Sequence, residues 1–577
     1  MLACSAMVAC TNDDVLENPN ENPALKGNSY LSVNLSMGNP TSRATQDEAF
    51  DNGTTEEAEV LDKNVVFLFY DASGDYVTEG SIQYYDTTNG LTAPTDQGTK
   101  LVWKEQTDGS VERIADPVIV LGPTKVAPAK VIAILNNNSL ANTCITNKMS
   151  MSDTYDIVKN ATNYETEAGF VMSNSTYVEG GAVVYASDIA PDQICESAAA
   201  AIANPVDIYV ERVAAKVQMN YATTLAENGT YSNIFKLQSN AVDGKYMVDD
   251  QVATLKVKVA GWTINATNAT SSLVKKISST NYFDNWNNAG IYRSYWAEDV
   301  NYSGVTKVAE DATPEPWEHT GKSFEGLTYQ TWADADLAGK HQTWNGRVFY
   351  LNENTMDVPV IRPNDKTNAT TLLVVGHILV NEGNNGTTLF TYKGGYYTEA
   401  KYKEILMGAL SGFKKNDAEG KPVPLTADDF VWKEIKKEGQ TTAYYKCKKV
   451  DYQTVVLTPT FADGVTLADD KEIKDIHTVL AGFETKLYDG GCCYYQIPIK
   501  HIFADADNNT DVCGEYGIVR NHSYQLTLNN ITNIGGAIFD PENELLDHIP
   551  GEEDDYYIAA KLNVLAWRVV ANQNVEL

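Results

Sequence analysis

The strongest constraint in this chain is a two-residue period. Between Tyr30 and Met37, apolar Leu31, Val33, Leu35 and Met37 alternate with Tyr30, Ser32, Asn34 and Ser36. Successive side chains of a strand point to opposite faces, so the segment predicts a strand with one buried and one polar face. Leu255, Val257 and Val259 alternate with Lys256 and Lys258 in the same way. Apolar or β-branched runs at 65–70, 117–121, 130–135, 206–219, 372–380, 454–457, 494–499 and 524–528 predict further strands. Helical spacing is confined to about 150–160, 196–203, 399–410 and 469–481. The fold class is therefore mostly β, built as sandwiches with Greek-key connections. Trp262 to Arg347 is rich in Asn, Thr, Trp and Tyr without a clear period, and predicts long loops on a second domain.

At 577 residues the chain is too long for one ordinary domain. A formal net charge of −33 repels a phosphate backbone, which argues against nucleic acid as a partner. No run of about 18 apolar residues is present, so no transmembrane helix is predicted. The eight cysteines contain no CxxC pair, which excludes a zinc ribbon. Cys492 and Cys493 are adjacent and point to opposite faces if they lie on a strand.

The two ends are the most unusual parts. The first residues, Met-Leu-Ala-Cys-Ser-Ala-Met-Val-Ala-Cys, are small and apolar and lead into acidic sequence. They lack a basic n-region and read as the tail of a secretory signal. Met-Val-Ala-Cys resembles a bacterial lipobox, which places an acyl group on Cys10, with Cys4 as the alternative. Residues 11–28 then form a polar tether. Near the other end, acidic Gly551–Asp555 precedes a segment in which Ile558, Ala560, Leu562 and Val564 share one face. The apolar face then switches to Leu565, Trp567 and Val569, which requires a break or bulge near Leu565.

Chemistry-bearing motifs are missing. No P-loop, nucleophile elbow or HExxH helix is present. The seven His residues, at 319, 341, 377, 477, 501, 522 and 548, read as isolated, and no carboxylate pair stands out. The sequence therefore nominates no catalytic residue, metal or cofactor. Asp505, Asp507, Asn509 and Asp511 space their oxygens like a calcium loop, but Thr510 and Tyr516 stand where Gly and Glu are needed. A solvated turn is the expectation.

Five segments together resemble the fimbrillins of type V pili, in particular the short-fimbria major subunit. They are Tyr30–Met37 followed by Arg43, the run 206–217, Gly491–Ile499, Gly517–Tyr524 with its Val-Arg-Asn-x-x-Tyr pattern, and Leu562–Val569. The resemblance runs in order along the chain and is weakest in the middle third. It implies two transthyretin-like β-sandwich domains, export as an outer-membrane lipoprotein with a palmitoylated Cys, and an Arg-specific protease that cuts between Arg43 and Ala44. The organisation expected is a partial lipoprotein signal (1–10), a tether and removable strand (11–43), an N-terminal sandwich (44–221), a C-terminal sandwich (222–555) and donor strands (556–577).

This implies a mechanism without an active site. Leu31, Val33, Leu35 and Met37 fill a groove until the cut releases their strand. The exposed apolar surface and unpaired backbone groups are costly, and a donor strand from an identical or related subunit replaces them. Ile558, Ala560, Leu562 and Val564 have the alternation of such a donor, and the acidic stretch 552–555 is expected to keep it from folding back. Strand addition between unlike surfaces builds an open head-to-tail filament at the cell surface. The competing readings are a surface glycan-binding lipoprotein, with Trp262, Trp286, Trp296, Trp317, Trp332 and Trp344 as a stacking platform, and a two-carboxylate glycosidase.

Overall fold

The computed structural model describes residues 24–38, 59–101, 117–160, 169–221, 246–277, 292–300, 347–355, 370–437, 454–499, 517–542 and 558–565, apart from a few positions within them, with several short pieces between. The chain is mostly β, as its two-residue period predicts.

The first nine-stranded sheet has Tyr76–Ser81, Val65–Tyr70, Lys130–Leu135, Met172–Asn174, Val206–Arg212, Ser29–Gly38 and Val111–Arg113 as its path, with two further strands joining it. The strands at 65–70 and 130–135 fall where their apolar runs predict. Their inward residues Val65, Phe67, Phe69, Val131, Ala133 and Leu135 share one core with Leu31, Val33 and Leu35.

The run expected as one long strand over 206–219 is two. Val206–Arg212 belongs to the first sheet, and Ala215–Tyr221 runs parallel to Ser523–Ile531 in another. Val213 and Ala214, both buried, carry the chain across. The apolar pattern continues through this break because both flanking strands are buried, so periodicity alone does not reveal it.

Beyond the crossing, two five-stranded sheets face each other. One holds Val348–Leu351, Ala215–Tyr221, Ser523–Ile531, Ile558–Leu565 and Gln573–Asn574. The other holds Ile234–Lys236, Leu255–Asn265, Thr371–Val380, Cys492–Pro498 and Gly536–Ala537. Val217, Met219, Leu526 and Leu528 meet Val257, Trp262, Leu372, Val374 and Tyr495 in a single core, which is a sandwich. Cys493 enters this core and Cys492 a separate cluster with Trp332 and Leu373, so the adjacent thiols do face opposite ways. A third cluster packs the helices Glu399–Ala409 and Ile473–Leu480 on Phe430, Val455 and Leu457.

Two local expectations are corrected. The segment 150–160 is only briefly helical, at Met151–Tyr155, and its end Val158–Asn160 is a strand on Thr270–Ser272. The helix Asn138–Asn147 was not expected; Asn137 caps it, its Oδ1 accepting from the Leu140 N–H at 3.0 Å. Among the described residues no helix is long and apolar enough to cross a membrane.

The crossing is held by buried charge. Arg520 donates from Nε and Nη2 to both carboxylate oxygens of Glu353, at 2.8 and 2.7 Å, and from Nη1 to the Leu273 carbonyl at 2.9 Å. Lys275 Nζ lies 2.7 Å from Glu211 Oε2 and donates to the Ser294 carbonyl. All four side chains are at most 1% exposed. Burial pushes the Glu211 carboxyl up and the Lys275 ammonium down, each partly countered by the other's charge. Asn521 N–H bonds the Ala214 carbonyl and Lys216 N–H bonds the His522 carbonyl, so both pairs sit around the crossing. Removing one member strands a buried charge, which costs about 3–5 kcal/mol. Glu353→Gln should lower unfolding free energy by that amount in urea titration, whereas exposed Glu404→Gln should change it by less than about 1 kcal/mol.

Candidate functional site

The site the sequence nominates is a strand and its seat. In Ser29–Gly38, Leu31, Val33 and Leu35 are fully buried. Three such side chains contribute on the order of 5–9 kcal/mol of gross burial. The strand is bonded on both sides along its length. Its first half pairs antiparallel with Val118–Leu121, while Tyr30 exchanges two 2.8 Å hydrogen bonds with Cys195 on the other side. Its second half lies parallel to Val206–Tyr209 and antiparallel to Val111–Arg113. Its polar face is also engaged: Ser32 Oγ donates to the Pro117 carbonyl and Asn34 Nδ2 to Asp207 Oδ1, both at 2.9 Å. Met37 is placed by backbone register opposite Glu112.

The C-terminal segment is placed differently from expectation. Ile558–Leu565 is a strand that ends where the face switch predicts, but it pairs antiparallel with Ser523–Ile531 of its own chain. The acidic stretch 552–555 lies outside the described residues. On its other side only Lys561 and Leu562 are paired, with Asn574 and Gln573. The two nominated strands thus lie in different sheets and do not pair with each other. Cys10, Arg43, Ala44, Trp567, Val569 and the stretch Asp505–Asp511 lie outside the described residues.

The comparisons with known proteins bear on the C-terminal part. Residues 486–573 match the family model described as "Major fimbrial subunit protein type IV, Fimbrillin, C-terminal". That segment of the chain is similar to the C-terminal part of fimbrillins. No curated protein matches it. Solved structures similar to it include a fimbrilin from Porphyromonas gingivalis W83, 14% identical, covering 96% of this chain and 99% of that one at a TM-score of 0.32. Another is the tip fimbrial protein Mfa3 from Porphyromonas gingivalis with a C-terminal truncation, 9% identical, covering 92% and 99% at 0.28. A fimbrial assembly protein from Parabacteroides distasonis is 12% identical and covers 76% and 98% at 0.26.

The matched segment contains the Val-Arg-Asn-x-x-Tyr pattern, and the structure gives it a physical role. Arg520 is the buried clamp described above, and the Tyr524 hydroxyl accepts from the Val519 N–H at 2.9 Å. That hydroxyl also meets His501 Nδ1 at 2.6 Å. The histidines are not all isolated: His501 and His522 are both buried with ring centroids 4.8 Å apart. Scattered positions in sequence conceal such a pair because the two residues stand 21 positions apart and only the fold brings them together. Of the tryptophans read as a stacking platform, Trp262, Trp296 and Trp332 are buried, and Trp332 donates to the Cys493 carbonyl; Trp286 and Trp344 lie outside the described residues. Among the described residues no group of acidic, His and Cys side chains is placed to hold a metal.

Two outcomes follow for the intact chain. Leu35→Ala removes a fully buried side chain from the seat and should cost about 2–5 kcal/mol in urea unfolding, against under about 1 kcal/mol for Leu91→Ala at a half-buried position. His522 is held well below its ordinary value, first by burial and then by His501 and Arg293. The folded chain therefore keeps it neutral while the unfolded chain takes up a proton below about pH 6.5. Its stability contribution is complete above that pH and falls by up to about 1.4 kcal/mol per unit as pH drops towards the folded value. Urea midpoints measured between pH 7.5 and 5 should flatten in His522→Gln relative to the parent.

Proposed function

We propose that this chain is a fimbrillin, a structural subunit of a surface fimbrium that polymerises by strand exchange and supports adhesion. The observation that carries this is the placement of Ser29–Gly38. It is an interior strand bonded on both sides and filling a core, yet it is supplied by a segment just upstream of the Arg43–Ala44 bond. In this reading the chain is exported as a lipoprotein, held at the outer membrane through acylated Cys10, and cut after Arg43 by an Arg-specific protease. The removable residues are Leu31, Val33, Leu35 and Met37. The donor is drawn from 556–577, with Ile558, Ala560, Leu562 and Val564 as its first apolar face and Leu565, Trp567 and Val569 as its second. Two sandwich domains form the body between them, divided near Val213 rather than at 221, since Ala215–Tyr221 pairs with Ser523–Ile531.

The cis seat of Ile558–Leu565 supports exchange energetically. There the strand has one full neighbour and a two-residue one. The seat of the first strand offers neighbours on both sides, so a tail that moves from one to the other gains hydrogen bonds. No enzymatic step is needed beyond the cut.

The test is to treat residues 11–577 with an Arg-specific protease and follow mass and particle size. A cut between Arg43 and Ala44 followed by filaments, lost when 556–577 is deleted, is the expected outcome. A chain that stays monomeric after that cut would remove the strand-exchange reading.

A further inference from the structure

The outer face of Val206–Arg212 borders a cleft of about 290 Å³. Asp207 and Tyr209 line it together with Tyr177, Glu179, Asp188 and Tyr292. Tyr209 and Tyr292 stack at 3.8 Å, and Tyr177 meets Tyr292 edge-on. The amides at its wall are committed elsewhere: Asn174 bonds Ala133 and Val131, and Gln193 bonds Ala190 and Pro205. Lys130 pairs with Asp188 at the rim. What the cleft presents to a ligand is carboxylate charge beside tyrosine rings, surroundings that attract an ammonium group.

This cleft abuts the seat of the first strand. Asn34 lies in register with Asp207, and Ser36 with Tyr209. Any strand that replaces Ser29–Gly38 in the same direction presents its own residue to Asp207. Which residue that is follows from volume. The seat takes a large, a smaller and a large side chain at Leu31, Val33 and Leu35. In the tail, only Ile558, Ala560 and Leu562 repeat that order. Starting at Ala560 puts Ala at the first place, starting at Leu562 puts Ala566 at the last, and starting at Leu565 forces Trp567 into the place of Val33. The alignment of Ile558 on Leu31 sets Lys561 at the place of Asn34.

We infer that this acidic, tyrosine-lined cleft receives the Lys561 side chain of a second copy of the chain, beside Asp207. The inference rests on the strand-exchange reading and adds its register and its selectivity. In its own chain Lys561 lies in register with Thr527 and Asn574, both uncharged. Exchange therefore replaces the neutral Asn34 donor with a cation opposite the same carboxylate.

The experiment uses the full chain cut with an Arg-specific protease, comparing the parent with Asp207→Lys, Lys561→Asp and the double variant. Asp207 is exposed but accepts from Asn34, so uncut Asp207→Lys should still unfold cooperatively, at a slightly lower melting temperature than the parent. Each single change should slow filament growth by at least about fivefold, and the double change should restore it to within about twofold. In parent filaments assembled from mixed light and ¹⁵N-labelled chains, carbodiimide should link Lys561 of one chain to Asp207 or Glu179 of another. Single variants that grow at the parental rate, a double variant no better than the singles, or links at another register would overturn the cleft assignment while leaving exchange intact. A parent that never assembles would instead remove the exchange reading itself.

Discussion

Two buried ion pairs at one crossing hold this molecule together. Glu211 belongs to the first sheet, and Lys275, Glu353 and Arg520 come from segments around the second. Charges at this depth are tolerated only when each is matched and hydrogen-bonded, so the four side chains, with the Leu273 and Ser294 carbonyls, fix how the chain leaves one sheet for the next. Well-packed apolar residues of similar volume would serve stability as well. The pairs supply directionality, because a guanidinium fork accepts its carboxylate in few orientations.

With that crossing fixed, the strands that matter for assembly differ in how many neighbours they have. Ser29–Gly38 is embedded between partners, and its apolar face lies in a closed core. Ile558–Leu565 lies towards the margin of its sheet, where one short partner covers two of its residues. A marginal strand is a liability in an ordinary soluble protein, since it offers unpaired backbone groups to any passing chain. In a subunit that polymerises as proposed, the same property makes the tail available at low cost.

Much of this was legible in the sequence, and the exceptions share a cause. The alternation of Leu31, Val33 and Leu35 reads directly as one buried face because each position answers to a single neighbour, the core. The break at Leu565 reads equally well, because a strand cannot change face without one. The split of 206–219 does not, since both halves are buried and the pattern never lapses. The role of Arg520 is hidden for a different reason: its partner Glu353 is 167 positions away, and only tertiary structure brings them into contact. The same holds for His501 with His522, and for the tryptophans, whose composition suggests a surface platform while their packing places them in cores.

The parallel pairing of Asn34 with Asp207 also bears on the order of events during synthesis. These residues are 173 positions apart, so the first strand emerges long before its principal neighbour exists. Closing so long a loop is entropically costly and slow, and it follows the formation of local hairpins such as Val66–Ser81. For that interval the nascent first sheet has a vacant place in its interior. A free tail from another molecule would compete for it at a rate set by concentration, whereas the molecule's own first strand competes at a rate set by tethering. In the strand-exchange reading, keeping the first strand attached until folding is complete makes the monomer's own closure the faster reaction, and confines self-association to molecules that have already finished folding.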